Sequence, residues 1–389
     1  MVSFDSWLSQ QLAALEDQGL LRNLRVVEET HGNKITIVGR ELINFSSNDY
    51  LGLASHPAIA EAMREGARRW GTGSTASRLI CGNTAEHAAL EEELAAAKGT
   101  DSTLVFSTGV AAATGTIPAL VGKEDVIIMD KLAHACLIDG ARASGAILRV
   151  FPHNDLEKME SHLRWAREKH PNSSVMIITE SVFSMDGDLA PLREIVALKE
   201  RYGAILFLDE AHAVGVRGKG AQGLAGELGL GDHIEIQMGT LGKALGLSGG
   251  YIAGSRVLID FLINRARSFI FSTAPSPAMA AACRASLRIV QSPEGDALRA
   301  DLQQNLRLIA SEMKFVESPS AILPLILSSE VRALEESSRL QHEGFFVPAI
   351  RYPTVPRNTA RLRITFSAAH KPEQIQMLAD ALKRSSLSA

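Results

Sequence analysis

Seven apolar runs, TLVFS, VIIMD, AILRVF, VMIITE, AILFLD, IEIQM and YIAG, punctuate the middle of this 389-residue chain. They are mostly unbroken stretches of Val, Ile and Leu, the pattern of strands buried on both faces. Stretches of helical period lie between them, among them 84–97, 155–169 and 191–201. This alternation predicts an α/β architecture with a mainly parallel, doubly wound sheet. Ahead of it, Phe4, Leu8, Leu12 and Leu15 recur at helical spacing over residues 4–18, which predicts an amphipathic arm with one buried face. The short segment KITIVGRELINF then leads into SSNDYLGL. Near residue 285 the rhythm changes. A long helical stretch, 276–315, precedes short strands (ILPLIL, FFVPAI, ARLRITF) and two further helices, a compact α+β unit. Arg361 and Arg363 alternate there with apolar residues and read as the exposed face of a strand. The expected divisions are 1–45 for the arm and first strands, 46–285 for the large domain and 286–389 for the small one.

Composition narrows the function classes. The chain is 46% hydrophobic and 22% charged with a formal charge of −4, so electrostatics give no reason to expect nucleic acid or an anionic membrane. Cys81, Cys136 and Cys283 show no CxxC spacing, which argues against a zinc site or a disulfide framework and suits a reducing cytosol. No metal is expected. The least polar run, Gly109 to Gly122, is too short to span a bilayer. The first residues lack an export pattern, so a cytoplasmic location is expected.

Polar residues stand directly after the apolar runs: Ser107–Gly109, Asp130–His134, Glu180–Ser184, Asp209–His212 and Gly239–Lys243. In an open parallel sheet these positions share the carboxyl edge, where ligands bind. Lys243 lies between Gly242 and Ala244 in GTLGKALG, a tight turn with room for a planar ligand; alone it reads first as an ordinary surface lysine, the commonest fate of Lys and Arg. DEAH at 209–212 would suit a nucleotide hydrolase only beside a GxxxxGK[ST] loop, and none is present. An amine, a carboxylate and an imidazole at strand exits are instead the groups that hold pyridoxal phosphate (PLP). Asp209 would pair with the ring nitrogen or simply cap its strand. The turn at 107–109 offers backbone N–H groups to a phosphate, or is a plain connection. His134 would lie on an aromatic cofactor or satisfy a structural bond. Arg351, in AIRYPTVP, would grip a carboxylate or form a rim ion pair. The stretch GTGSTASRLICGNT lacks the strand and third glycine of a dinucleotide fingerprint. Its tail predicts a capping box between Asn83 and Glu86.

From about residue 40 onward, NFSSNDYLGL, GSTASRLICGNT, KLAHACLIDGA, ESVFSMDGDLAPL, LDEAHAVGVRGKGAQG, GTLGKALGLSGGYIAG, IFSTAPSPA and AIRYPTVP occur in an order and spacing that resembles the α-oxoamine synthases. These are PLP-dependent transferases of fold type I: a large domain with a mainly parallel mixed sheet between helices, plus a smaller C-terminal α+β domain. The resemblance implies that Lys243 holds the cofactor and removes the substrate α-proton, that Asp209 pairs with the pyridine nitrogen and His212 with the ring oxygen, and that His134 stacks on the ring. It further implies that Gly109, Val110, Ser184 and Thr240 hold the phosphate or ring oxygen, with Ser272 or Thr273 reaching the phosphate in the neighbouring subunit of a homodimer with shared sites. Arg22, Asn48, Arg351 and Thr354 would line the substrate site. The implied reaction is decarboxylative condensation of L-alanine with pimeloyl-CoA or pimeloyl-acyl-carrier protein, in biotin biosynthesis. Glycine-using ligases making 2-amino-3-oxobutyrate, serine palmitoyltransferases and non-catalytic partner subunits are the competing readings. Val110, Ala113, Cys81 and Tyr352 depart from the family's usual residues.

Overall fold

The computed structural model describes residues 3–314 and 318–384. Its chain divides into two compact units, one of Asn48–Leu302 and one of Met1–Ser47 with Gln303–Ala389.

All seven apolar runs form strands of the first unit: β1 (Ser102–Phe106), β2 (Val126–Asp130), β3 (Ile147–Phe151), β4 (Val175–Glu180), β5 (Ile205–Asp209), β6 (Ile236–Thr240) and β7 (Gly250–Gly254). They make one sheet in the order β1–β7–β6–β5–β4–β2–β3. Only β7 runs against its neighbours; the other pairings are parallel. The carboxyl ends of the other six strands therefore leave from one edge.

The unbroken apolar runs are explained by two cores on the sheet. Ile127, Met129, Met176, Ile178 and Phe207 feed one, with the helix Gly109–Leu120. Val126, Ile128, Val175, Ile177, Leu206 and Leu208 feed the other, with the helices Leu156–Lys169 and Leu192–Arg201. Consecutive strand residues point to opposite faces, so a strand covered on both sides needs an apolar residue at every position. Each fully buried aliphatic side chain contributes about 1.5–3 kcal/mol.

In the second unit Ile322–Ser328, Ala360–Thr365 and Ala349–Ile350 form an antiparallel sheet, with Ala360–Thr365 in the centre. Glu29–His31, Lys34–Ile37, Arg40–Asn44 and Phe345–Phe346 form another. The run FFVPAI is thus split between two sheets, and Pro348, which cannot donate to a ladder, falls at the break.

Four expectations need correction. The strand Ala360–Thr365 is covered on both faces, so Arg361 and Arg363 are buried, not exposed; the Arg361 guanidinium donates to the Thr359 carbonyl (3.1 Å). The stretch 276–315 is two helices, Pro277–Val290 and Pro293–Met313, because proline favours the first turn of a helix and not its interior; residue 315 lies outside the described residues. The arm is a helix, Phe4–Asp17, but none of its residues is buried within this chain. The capping box sits one residue later than Asn83 and Glu86: Thr84 caps the helix Ala85–Lys98, and its N–H donates to His87 Nδ1 (3.2 Å).

Candidate active site

Five loops leave the carboxyl edge of the large sheet carrying the residues singled out above. After β6, the turn holding Lys243 is pinned by Gly246 N–H to the Lys243 carbonyl (2.8 Å), Leu247 N–H to the Leu241 carbonyl (2.9 Å) and Thr240 Oγ1 to the Gly249 carbonyl (2.9 Å). Gly246 has φ +72°, and a Cβ there would stand 2.5 Å from the Ala54 nitrogen, so only glycine closes this turn. Lys243 is half-buried, unlike an ordinary surface lysine. Its Nζ lies 2.8 Å from His212 Nε2.

Asp209 ends β5 and is buried. Its Oδ1 accepts the Ala211 N–H (2.8 Å). Desolvation raises its pKa, while the Lys243 cation and the Ala211 bond oppose the rise. The adjoining Glu210 turns away into a buried ion pair with Lys98 and accepts the Ala225 N–H (2.9 Å), which anchors the loop from behind.

His134, after β2, caps the helix Ala135–Ser144, its Nδ1 accepting the Cys136 N–H (3.2 Å). The ring is exposed on the wall of the site, yet enough protein surrounds it that desolvation, with the Lys243 cation, lowers its pKa. The imidazole is thus neutral, with the proton on Nε2. Burial also pushes the Cys136 thiol up to about 12, which keeps it unreactive.

The helix Gly109–Leu120 follows β1. Thr108 caps it by accepting the Ala111 N–H (3.0 Å). The Gly109 and Val110 amides lie in the first turn, where no intrahelical acceptor exists, which suits an anion. Gly250 on β7 passes so close that a Cβ there would sit 2.6 Å from Gly109 Cα, and the absence of a side chain keeps this turn in place. Ser184, buried after β4, donates its N–H to Glu180 Oε2 (3.2 Å). Lys243 acts on the charge of Asp209, His134 and Glu180, and Asp209 on that of His134 and Glu180. An amine, a buried carboxylate, two imidazoles and an uncompensated helix start fit PLP in the chemistry of their donors.

The remaining expected residues are placed as follows. Thr240 ends β6, and Thr273 bridges Ser77, with Ser272 before it. Arg22, Arg351 and Thr354 belong to the second unit. There Arg22 Nη2 donates to the Tyr352 carbonyl (3.1 Å), Arg351 Nη1 to the Gly19 carbonyl, and Thr354 N–H to the Arg351 carbonyl (3.0 Å). Desolvation, with the nearby Arg22 and Arg25 cations, lowers the Arg351 pKa.

One residue escaped the sequence reading, and another was noted there only as a polar group at a strand exit. Tyr50, from SSNDYLGL, is buried with its hydroxyl 2.6 Å from His212 Nδ1 and 3.1 Å from Asn48 Oδ1. Glu180 is the register partner of Asp209. A tyrosine inside an apolar motif and a glutamate at a strand end were the available signals, but neither reveals its partner.

Residues 40–382 match the model of the aminotransferase class I and II family. A relative from Geobacter sulfurreducens, described as an 8-amino-7-oxononanoate synthase, is 45% identical over 97% of both chains. A Methylococcus capsulatus protein of the same description is 46% identical over 95% of this chain and 96% of its own. Among solved structures, a serine palmitoyltransferase with its PLP superposes with a TM-score of 0.91 at 28% identity, covering 98% of this chain and 97% of that one. An 8-amino-7-oxononanoate synthase from Francisella tularensis superposes at 0.72, also at 28% identity, covering 88% and 98%. With a buried acid, a turn-held lysine and a helix start whose amides suit an anion on one sheet edge, and relatives matching over nearly its whole length, the chain belongs to the aminotransferase class I and II family of PLP-dependent enzymes.

Proposed function

We propose that this enzyme condenses L-alanine with a pimeloyl thioester, carried by coenzyme A or acyl-carrier protein, releasing carbon dioxide to give 8-amino-7-oxononanoate. The observation that carries this is the 45% identity to an 8-amino-7-oxononanoate synthase across 97% of both chains, together with a lysine, an aspartate and two histidines in the required chemical setting. The higher TM-score to serine palmitoyltransferase reflects backbone shape, and its 28% identity is the weaker indicator of substrate.

PLP, when bound, supplies an electron sink for the pair left on the amino acid's α-carbon. The chain's residues do the rest. Lys243 holds the cofactor through Nζ and then takes the α-proton on the same nitrogen. Asp209, buried at the end of its strand, would pair with the ring nitrogen and keep it protonated; His212 would pair with the ring oxygen and His134 would stack on the ring. Gly109 and Val110 amides with Ser184 and Thr240 hold the phosphate or ring oxygen, and Ser272 or Thr273 reaches the phosphate held by a second copy. Arg351 would bind the amino-acid carboxylate by charge-assisted hydrogen bonds, and Arg22, Asn48 and Thr354 are the other residues proposed for substrate binding.

A homodimer with shared sites is part of this proposal. It is supported by apolar side chains left open on the single chain, including Phe4 (71% exposed), Ile80 (79%) and Phe271 (70%). Among the described residues no helix is long and apolar enough to cross a membrane.

Purified enzyme should release carbon dioxide faster from alanine plus pimeloyl donor than from glycine plus acetyl donor. Borohydride should fix the cofactor to Lys243. The reverse substrate order would overturn the assignment.

A further inference from the structure

Tyr50 is 1% exposed, so its hydroxyl must be satisfied inside the protein. Asn48 and His212 are both within hydrogen-bond reach of it. Asn48 Oδ1, at 3.1 Å, can only accept, so the phenolic proton goes there. His212 Nδ1, at 2.6 Å, must then supply its own proton to the Tyr50 oxygen. A neutral imidazole carrying its proton on Nδ1 leaves Nε2 as an acceptor, and Nε2 lies 2.8 Å from Lys243 Nζ. These three hydrogen bonds then run in one direction: Lys243 to His212, His212 to Tyr50, Tyr50 to Asn48.

The direction matters for the chemistry. A lysine amine has an ordinary pKa of about 10.4, so at neutral pH it is an ammonium with no lone pair. It becomes a nucleophile only after losing a proton. A histidine whose Nε2 is an acceptor can take that proton; one carrying its proton on Nε2 instead points a donor at a cation. The two ring forms are close in energy when free, and the partner of the other nitrogen decides between them.

We propose that Tyr50 is a positioning residue for Lys243, acting through His212: its buried hydroxyl holds His212 with the proton on Nδ1, so that Nε2 accepts the proton leaving the Lys243 ammonium. The step is a plain proton transfer. The N–H bond of Lys243 breaks, its electron pair stays on Nζ, and a new N–H bond forms at His212 Nε2. This deepens the proposed function, because it rests on Lys243 being the residue that captures the cofactor.

The substitution Tyr50→Phe removes one oxygen and keeps the ring. Full-length protein stripped of cofactor and labelled with ¹⁵N-histidine should show His212 protonated on Nδ1 by NMR. Y50F, lacking the acceptor, should show it protonated on Nε2. Capture of added PLP, followed by absorbance, should be about tenfold slower in Y50F at neutral pH. The deficit should close at high pH, where the amine is neutral without help, because one pKa unit corresponds to a tenfold change in the neutral fraction. A wild-type His212 protonated on Nε2 would overturn the proposal without any variant. So would a Y50F deficit of equal size at every pH, which is what a merely structural role gives. If wild type fails to take up PLP while the NMR result holds, the functional reading falls and the tautomer assignment stands.

Discussion

Glu180 and Asp209 face each other across adjacent parallel strands at the edge where the site lies. Both are buried, and two carboxylates this close cannot both keep a charge. Asp209 has the 2.8 Å bond from Ala211 and the attraction of Lys243. Glu180 has a longer bond from Ser184, and its Oε1 meets no hydrogen-bond partner. Desolvation, then repulsion by Asp209, raises Glu180 well above the usual carboxyl range, although Lys243 and the Ser184 and His134 amides oppose this. Of the two, Glu180 is thus the one pushed towards its neutral acid form, and Asp209 the one whose anion has the better support.

The prediction that follows is an asymmetry between two isosteric substitutions. E180Q, already neutral in effect, should retain PLP binding and kcat to within about threefold, well under 1 kcal/mol. D209N should lose activity by roughly a hundredfold or more, because removing one member of a buried charge pair costs about 3–5 kcal/mol. Steady-state kinetics of the two variants decide it; equal losses would mean that Glu180 is ionised.

His153 is clamped between Asp130 (3.1 Å from Nδ1) and Asp188 (2.7 Å from Nε2). Burial alone would lower its pKa, but the two carboxylates outweigh it and raise the value to about 10. Because the folded pKa exceeds the unfolded one, the stabilisation is complete below about pH 6.5 and fades as pH rises towards 10. H153Q should therefore melt below wild type at pH about 6, with the gap narrowing towards pH 10. Thermal melts across this range test the sign, and a gap that widens with pH would refute it.

Arg351 should be felt by the amino acid and not by the cofactor. R351A should raise the alanine KM roughly tenfold or more, in line with charge-assisted bonds worth about 1.5–3 kcal/mol, while the cofactor absorbance stays unchanged. Alanine titrations monitored by rate and by spectrum separate the two effects.

Phe207, on β5 two residues before Asp209, is fully buried in one of the two sheet cores. F207A should lower stability by about 3–5 kcal/mol and loosen Asp209 with it. Urea unfolding and PLP affinity measured on the same sample should fall together.

The strands of the large sheet and the residues at their exits were legible because a doubly covered strand has no polar face to blur its limits. Lys243, Asp209, His212 and His134 stood out because polar groups follow apolar runs directly. Other features depend on what arrives from distant parts of the chain. Arg361 and Arg363 alternate as exposed residues do, yet both faces of their strand are buried. Thr84 wins the cap over Asn83 because His87, a residue outside the usual capping-box pattern, accepts its N–H. Nothing local announces that Tyr50 meets a histidine 162 positions away.

The site's groups are distributed over five separate excursions from one sheet, the first at Gly109 and the last at Lys243. No contiguous fragment carries a working subset. If Lys243 holds the coenzyme as proposed, then during synthesis the vitamin-derived coenzyme has nothing to attach to until β6 and its turn have left the ribosome. Capture of the coenzyme would therefore come late, once six of the seven strands of the sheet have been made.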